Sequence, residues 1–564
     1  MPTPHRFYYL HNFLFVMHWL GERYDDVLNE AEHRFLSRFQ QLPHLAQALL
    51  VRMLMRRGPW FLESKLVYEE IPDVRAAAAP LLELGFLDAQ HPMGLDALFA
   101  LHTKAELMHL LSCASIDGSM HKSQMLEVLR SEYGHERAYS VWNPKATHGA
   151  WCVMVGELCE RFRLMFFGNL HQSWSEFVLA DLGIFKYEKV QVDDASRVFE
   201  CRADVDCYLA IHRCRLALEE GEDLDELLLE AARCSSTNPW LETRRAKLLM
   251  RIGQACERIQ RWELAELAYD ETQYLGARHR QIRVYECTGR FVDALALAQK
   301  AHAAPESEEE SQRLSRMLPR LRRRVGEGVD FRKVLAPAAP TRLTDAELER
   351  PTVPTPVEIV LRDHLTSDRT PVFYVENALI NSLFGLLCWP AIFAPLPGAF
   401  FHPFQSGPAD LGAPDFVQRR KADFDACLAL LADGTYGDVI RQRFVDKHGL
   451  QSPFVCWGML TPELLDFALG CIPAEHLGVI FKRILAGIKA NRTGFPDLVR
   501  FWPAEQRYEL VEVKGPGDKL QDNQIRWLRY FSEYGIPASV CQVRWRETLE
   551  AQQPKSPDAL MVEA

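Results

Sequence analysis

Three things are scarce or missing in this 564-residue chain, and each closes off a class of protein. First, the 14 cysteines include no close pair. The nearest, Cys201 and Cys207, are six positions apart. Structural zinc sites draw ligands from cysteines separated by about two to four residues, so zinc fingers and ribbons are excluded. Second, no N-terminal apolar run is long enough to cross a bilayer. The longest, Phe7 to Leu20, has fourteen residues and carries His11, Asn12 and His18, whereas a spanning helix needs about 20. No small-residue cleavage site follows before the polar stretch Gly21 to Asp26. The run is expected to be a buried core helix of a reduced, cytoplasmic protein with no membrane partner. Third, positive charge is in deficit: Lys+Arg is 65 and Asp+Glu is 76, a formal charge of -11. That excludes a protein that coats nucleic acid nonspecifically but leaves room for a local basic surface.

What is present is ordinary globular composition, 48% apolar and 25% charged, on a chain long enough for about three or four domains. Residues 1–75 carry apolar residues at helical spacing, as in Leu45, Leu49, Leu50, Met53 and Leu54. The AAAAP stretch at 76–80 is expected to mark a boundary. Residues 101–130 form two short amphipathic segments around Gly118, the first opening on Thr103 with Glu106 three positions later, a capping box. Residues 204–300 alternate helical patterns, with Ala265/Ala268 and Ala294/Ala298 placed for close helix packing. The middle of the chain is also its basic part: residues 231–300 hold 12 basic against 8 acidic side chains. A second basic cluster runs from Arg313 to Arg324. Residues 301–310 and the proline-rich 336–356 are expected to be linkers.

Chemistry concentrates in residues 489–545. Leu498–Trp502 and Tyr508–Val513 are expected strands joined by a turn at PAEQR. Asp497 opens the first strand. Glu512 and Lys514 lie two apart on the second, hence on one face, with Val513 on the other. GPGD ends this strand, 521–534 is expected to be helical, and 539–545 is a further strand. Asp…Glu-x-Lys suits phosphodiester hydrolysis. Two carboxylates on adjacent strands can hold a hard cation such as Mg²⁺ or Mn²⁺ against a phosphate. A lysine beside them can orient or deprotonate water, or neutralise charge developing on the phosphorus oxygens. The same residues could also be no more than a salt-bridged hairpin.

Several motifs carry a family resemblance. Asp497…Glu512-x-Lys514 is similar to the PD-(D/E)XK nuclease core, and GFPD, EVKGPGD and QDNQIRWL, with Gln524 and Trp527, resemble the VRR-type nuclease domain. The hairpin with Gly118, Lys122 and the Met125/Leu126/Leu129 face resembles a SAP DNA-binding module, and 204–300 resembles degenerate TPR helix pairs. In this order the modules resemble the Fanconi-associated nuclease family. That resemblance implies mostly α-helical N-terminal and middle parts followed by an α/β PD-(D/E)XK core. The implied domains are an N-terminal helical domain (1–75), a SAP-like module (76–140), a TPR-like domain (141–335) and a nuclease domain (351–564) with a helical insertion at about 391–485. It implies a structure-selective DNA nuclease that cuts 5′ flaps, degrades from 5′ ends and acts in repair of interstrand crosslinks. By the same resemblance Asp497 and Glu512 are metal ligands with the Val513 carbonyl, Lys514 is the catalytic lysine, and Glu376, at the start of a strongly apolar helix, is a further ligand. Eukaryotic members carry a ubiquitin-binding zinc finger whose cysteines this chain lacks, as expected of a bacterial, nucleoid-associated member.

The resemblance also implies a basic pocket for a terminal 5′ phosphate. Arg244, Arg245, Lys247 and Arg251 on one helix, Lys489 and Arg492 before the first catalytic strand, and Lys519 and Gln524 after the second are the candidates. Each could instead belong to a solvated helix face. Two other readings stay open: a restriction- or resolvase-type endonuclease built on the same core, and a helical-repeat scaffold with an inactive nuclease fold.

Overall fold

The computed structural model describes residues 6–111, 119–176, 183–192, 196–327 and 342–546. Contacts divide the chain into two units, Met1–Leu216 with Cys234–Glu242 and Pro395–Gln405, and Ala217–Arg233 with Thr243–Ala394 and Ser406–Ala564.

In the first unit, the Phe7–Leu20 run is indeed a core helix, α1 (Tyr8–Arg23), burying Tyr9, Leu10, Phe13, Val16, Met17 and Leu20 at three- and four-residue spacing. Helices α2 (Glu30–Gln41) and α3 (His44–Leu54) follow. A strand β1 (Trp60–Leu62), helix α4 (Val74–Glu83) and strand β2 (Leu87–Asp88) come next. The AAAAP stretch is no boundary: it lies inside α4, where Ala77 and Ala78 are buried. Helix α5 (Lys104–Leu110) starts at the expected cap, with Thr103 N–H donating to Glu106 Oε2 at 2.7 Å and Glu106 N–H donating back to Thr103 Oγ1 at 3.4 Å. Helix α6 (Lys122–Arg130) buries Met125 and Leu129 in one cluster with Leu107. Lys122 Nζ donates to the His102 carbonyl at 2.7 Å. Gly118 lies outside the described residues. Strand β3 (Ala150–Val153) completes a small antiparallel sheet of order β1-β3-β2, and α7 (Gly156–Phe167) packs Phe162 and Phe166 into the core of α1 and α2. The sheet is invisible in the sequence because its strands are too short for alternation to register.

In the second unit, α8 (Pro239–Arg258, of which Thr243 onward belongs here), α9 (Trp262–Asp270), α10 (Ala277–Cys287), α11 (Phe291–Ala303) and α12 (Glu308–Arg324) succeed one another. From α9 onward each packs on the next, and Ala265, Ala268, Ala294 and Ala298 are fully buried. The 301–310 linker proves to be helix except for residues 304–307. Much of the basic surplus is spent on ion pairs inside the unit: Arg261 with Asp225, Arg278 with Glu310, Arg280 and Arg283 with Glu257, Arg290 with Glu266, and Arg320 with Glu286.

A five-stranded sheet follows. Its strands are β4 (Arg342–Leu348), β5 (Val372–Tyr374), β6 (Leu498–Trp502), β7 (Arg507–Lys514) and β8 (Ala538–Trp545), in the order β4-β8-β7-β6-β5. β8 runs parallel to both neighbours, while β5, β6 and β7 are antiparallel in sequence. β4 corrects the linker reading of 336–356: the sheet begins before residue 351. Helix α13 (Val357–Leu365) places Leu361 in one cluster with Val372, Leu498, Val511, Val513, Cys541 and Val543. Helix α14 (Leu379–Leu387) leaves β5. Between α14 and β6 lie α15 (Lys421–Ala432), α16 (Tyr436–Asp446), α17 (Pro462–Cys471) and α18 (Ala474–Ala486). Helix α19 (Asp522–Glu533) joins β7 to β8. Among the described residues no single helix is long and apolar enough to cross a membrane.

Candidate active site: two carboxylates and a lysine

The site is built by strand alternation. β6 pairs with β7 in a register that sets Leu498 opposite Val511. Val511 and Val513 enter the core, so Glu512 and Lys514 face the other way. Asp497, one residue ahead of β6, is held at both ends. Its carbonyl accepts the Val375 N–H at 2.8 Å, and its Oδ2 accepts the Val513 N–H at 2.8 Å. The Val513 carbonyl leaves the strand on the same side as its N–H, toward Asp497. Lys514 Nζ lies 2.7 Å from Glu512 Oε1. That is ion-pair distance, and it makes the Lys514 ammonium the charged partner of Glu512.

All three side chains are buried: Asp497 is 8% exposed, Glu512 0% and Lys514 8%. Burial pushes the Asp497 carboxyl up to about 6, against the Val513 N–H and the Lys514 charge, which both pull it down. Burial, and then the negative charge of Asp497, push Glu512 up to about 7, with Lys514 opposing. Two buried carboxylates with a single ammonium between them form an oxygen-only donor set that suits a hard divalent cation. Burying them without one is costly.

Glu376 is not at a helix start. It sits in the turn between β5 and α14, beside Asn377 in the left-handed region at φ 51°. Its carboxylate is exposed and accepts the Tyr374 hydroxyl at 2.5 Å. Its charge still raises both Asp497 and Glu512. Among the described residues no three acidic, histidine or cysteine side chains converge on one point as a ready-made cage, so Glu376 joins Asp497 and Glu512 only if it turns from Tyr374.

Sequence reasoning missed two supports. Asn377 Oδ1 accepts the N–H groups of Gly494 and Phe495 at 2.9 and 3.2 Å, fixing the loop that delivers Asp497. Tyr374 holds Glu376. Nothing in a lone Asn or Tyr advertises such work; the only hint is Asn's tolerance of positive φ. Trp527, noted in the sequence, packs on Phe495 with ring centroids 4.3 Å apart and donates Nε1–H to the Thr493 carbonyl at 3.2 Å.

The candidate DNA contacts fare unevenly. Arg244 is half-buried and Lys247 exposed on α8. Arg245 is buried and points its guanidinium at the Glu271 carbonyl, which gives it an internal role. Arg251 pairs with Glu219 at 3.1 Å. Lys489 is exposed and donates to the Tyr274 hydroxyl at 2.8 Å. Arg492 is turned inward, over the Phe454 ring and onto the Pro453 carbonyl, and its burial lowers its pKa. Lys519 is exposed. Gln524 caps α19, its Oε1 accepting the Gln521 N–H at 2.8 Å, so its side chain is committed to the helix.

A mixed sheet presenting Asp, Glu and Lys from two adjacent strands defines a divalent-metal-dependent nuclease of the PD-(D/E)XK class. Residues 432–545 match the VRR-NUC domain, residues 92–142 the Fanconi anemia-associated nuclease SAP domain, and residues 7–88 the domain described as "FAN1, HTH domain". The chain is 50% identical over 542 residues to the Fanconi-associated nuclease 1 homolog of Pseudomonas aeruginosa, covering 96% of both. It is 23% identical to Fanconi-associated nuclease 1 of Homo sapiens, covering 95% of this chain and 62% of that one. A crystal structure of paFAN1 bound to 2nt 5′flap DNA with gap superposes with a TM-score of 0.93 at 50% identity, covering 97% of this chain and all of that one. A second, with a 1nt 5′flap, gives 0.91, covering 96% of this chain and all of that one. The chain belongs to the Fanconi-associated nuclease family and is a structure-selective nuclease.

Proposed function

We propose that the protein cuts phosphodiester bonds near 5′ flaps and 5′ DNA ends, as endonuclease and 5′-to-3′ exonuclease, using Mg²⁺ or Mn²⁺, in cytoplasmic DNA repair that includes interstrand crosslinks. The observation carrying this reading is the buried Asp497–Glu512–Lys514 constellation, two carboxylates sharing one buried ammonium. Asp497, Glu512 and the Val513 carbonyl would hold the ion, with Glu376 turning in from Tyr374. When bound, such an ion supplies Lewis acidity at the phosphate and lowers the pKa of water. The chain's own work is separate. The Val513 N–H fixes Asp497. Lys514, on the same face as Glu512, orients the attacking water or neutralises charge at the phosphorus oxygens. The burial of Asp497, Glu512 and Lys514 strengthens each of these interactions.

On the helical side, Arg244, Lys247, Lys489 and Lys519 remain candidates for a phosphate-binding surface, since phosphate contacts position DNA without reading sequence. Arg245, Arg251, Arg492 and Gln524 are occupied elsewhere and are set aside. The experiment is a labelled 5′ flap incubated with Mg²⁺ or Mn²⁺, beside the same flap with EDTA and beside the Asp497→Ala variant. Cleavage is expected only with metal and only by the parent chain. Preferential cutting of four-way junctions would favour the resolvase-type alternative, and cleavage by Asp497→Ala would overturn the site.

A further inference from the structure

Glu308, Gln312 and Arg316 lie four residues apart on α12 and so form one stripe along a single helix face. Each meets a side chain of the nuclease fold. Glu308 accepts from Arg483 of α18 at 2.5 Å. Gln312 Oε1 accepts from Arg526 of α19 at 2.7 Å. Arg316 grips Asp522, the first residue of α19, with two hydrogen bonds at 3.0 and 2.6 Å. Charge is complementary along the stripe: acid, amide and base face base, base and acid.

The partners of this stripe lead to the catalytic loop. Arg483 is 7% exposed and lies under the rings of Tyr530 and Trp527, at 4.2 and 4.9 Å from their centroids. Trp527 packs on Phe495 and bonds the Thr493 carbonyl, and Asn523 donates to Thr493 Oγ1 at 3.3 Å. Gly494, at φ 93°, has its open side against Asn523; a Cβ there would sit 2.9 Å from Asn523 atoms. The same Gly494 is bonded by Asn377, the neighbour of Glu376. A short relay of contacts thus runs from α12 through α19 to the residues that set Asp497, and its far side touches the turn carrying Glu376. The Arg316–Asp522 pair itself is half-exposed, 54% and 39%, so it adds little to global stability. A bidentate fork does fix direction.

We propose that the α12 stripe is a positioning device for the nuclease reaction: Glu308, Gln312 and Arg316 hold α19 and Arg483 in the register that places the 493–497 loop, and with it Asp497. The inference rests on Asp497 being the metal-site carboxylate, as argued above. None of the three stripe residues touches DNA in this role.

Charge gives a clean test. Glu308→Arg adds positive charge and Arg316→Asp removes it, so a surface acting through DNA phosphates would respond to the two in opposite senses. A positioning stripe responds to both alike. Each variant is expected to lower the single-turnover cleavage rate at saturating flap DNA and metal by roughly tenfold, the scale of sub-ångström misplacement. In metal-free full-length protein each should speed amide exchange at residues 493–497, and the swapped pair Arg316→Asp with Asp522→Arg should recover both rate and protection at least in part. Opposite effects of the two reversals, or unchanged exchange at 493–497, would overturn the proposal. Exchange is read without metal or DNA, so failure of the site assignment, shown by an active Asp497→Ala, is distinguishable from failure of the stripe.

Discussion

Replacing Asp497 by Asn should make the metal-free nuclease fold more stable while abolishing its chemistry. Burial raises the Asp497 carboxyl from 3.8 to about 6. An acid whose folded pKa lies above its unfolded value favours the unfolded state once it ionises. The penalty is absent below about 4, grows between 4 and 6, and is complete above 6. At about 1.4 kcal/mol per tenfold change in proton affinity, that rise gives up to about 3 kcal/mol at pH 8. Asn is nearly isosteric, and its Oδ1 can still accept the Val513 N–H. Its neutrality also relieves Glu512, whose own upward shift owes its second-largest part to Asp497, and it leaves the Glu512–Lys514 pair in place. The assay is amide exchange in β6 and β7 with EDTA present, comparing the two proteins at pH 8 and at pH 4.5. Slower exchange in Asp497→Asn at pH 8, with the difference shrinking at pH 4.5, is expected. Added Mn²⁺ should then protect the parent chain far more than the variant. A variant that opens more readily at pH 8, or a gain independent of pH, would refute the claim that the dry carboxylates are strained without a cation.

Three further outcomes follow from the geometry. Lys514→Ala should lose roughly two or more decades of single-turnover rate while calorimetry still detects metal; loss of metal binding would instead make the lysine structural. Arg244→Glu should weaken cleavage of 5′-phosphorylated flaps more than 5′-hydroxyl flaps at one fixed salt concentration, whereas Arg245→Glu should show itself first as lower thermal stability on every substrate, because its guanidinium is internal; equal losses on both ends for Arg244→Glu would argue for a general phosphate track. Gly494→Ala should reduce cleavage and destabilise by about 1–3 kcal/mol, since it combines a positive φ with a close approach to Asn523; an unaffected variant, measured by urea unfolding and turnover, would show that the loop relaxes freely.

Some of this was written in the sequence alone. The strands read at 498–502 and 508–513 and the i,i+2 spacing of Glu512 and Lys514 set those two residues on one face, because strand side chains repeat every second residue whatever surrounds them. The α1 core helix and the Thr103–Glu106 cap were equally legible, being local periodicity and local hydrogen bonding. Short-range pattern failed wherever a partner far along the chain decided the outcome. β4 hides in a proline-rich stretch because its pairing with β8 spans almost two hundred residues. The β1–β3 sheet consists of strands too brief to show a period. The sequence shows a basic surplus over 231–300, and only the packed helices show that Arg261, Arg278, Arg280, Arg283 and Arg290 face carboxylates of their own unit. Glu376 could be named from its place in the chain, but its present hydrogen bond to Tyr374, and the burial that raises Asp497 and Glu512, belong to the tertiary structure. A residue's type is carried by the sequence; its dielectric surroundings and its partner are set by what folding brings beside it.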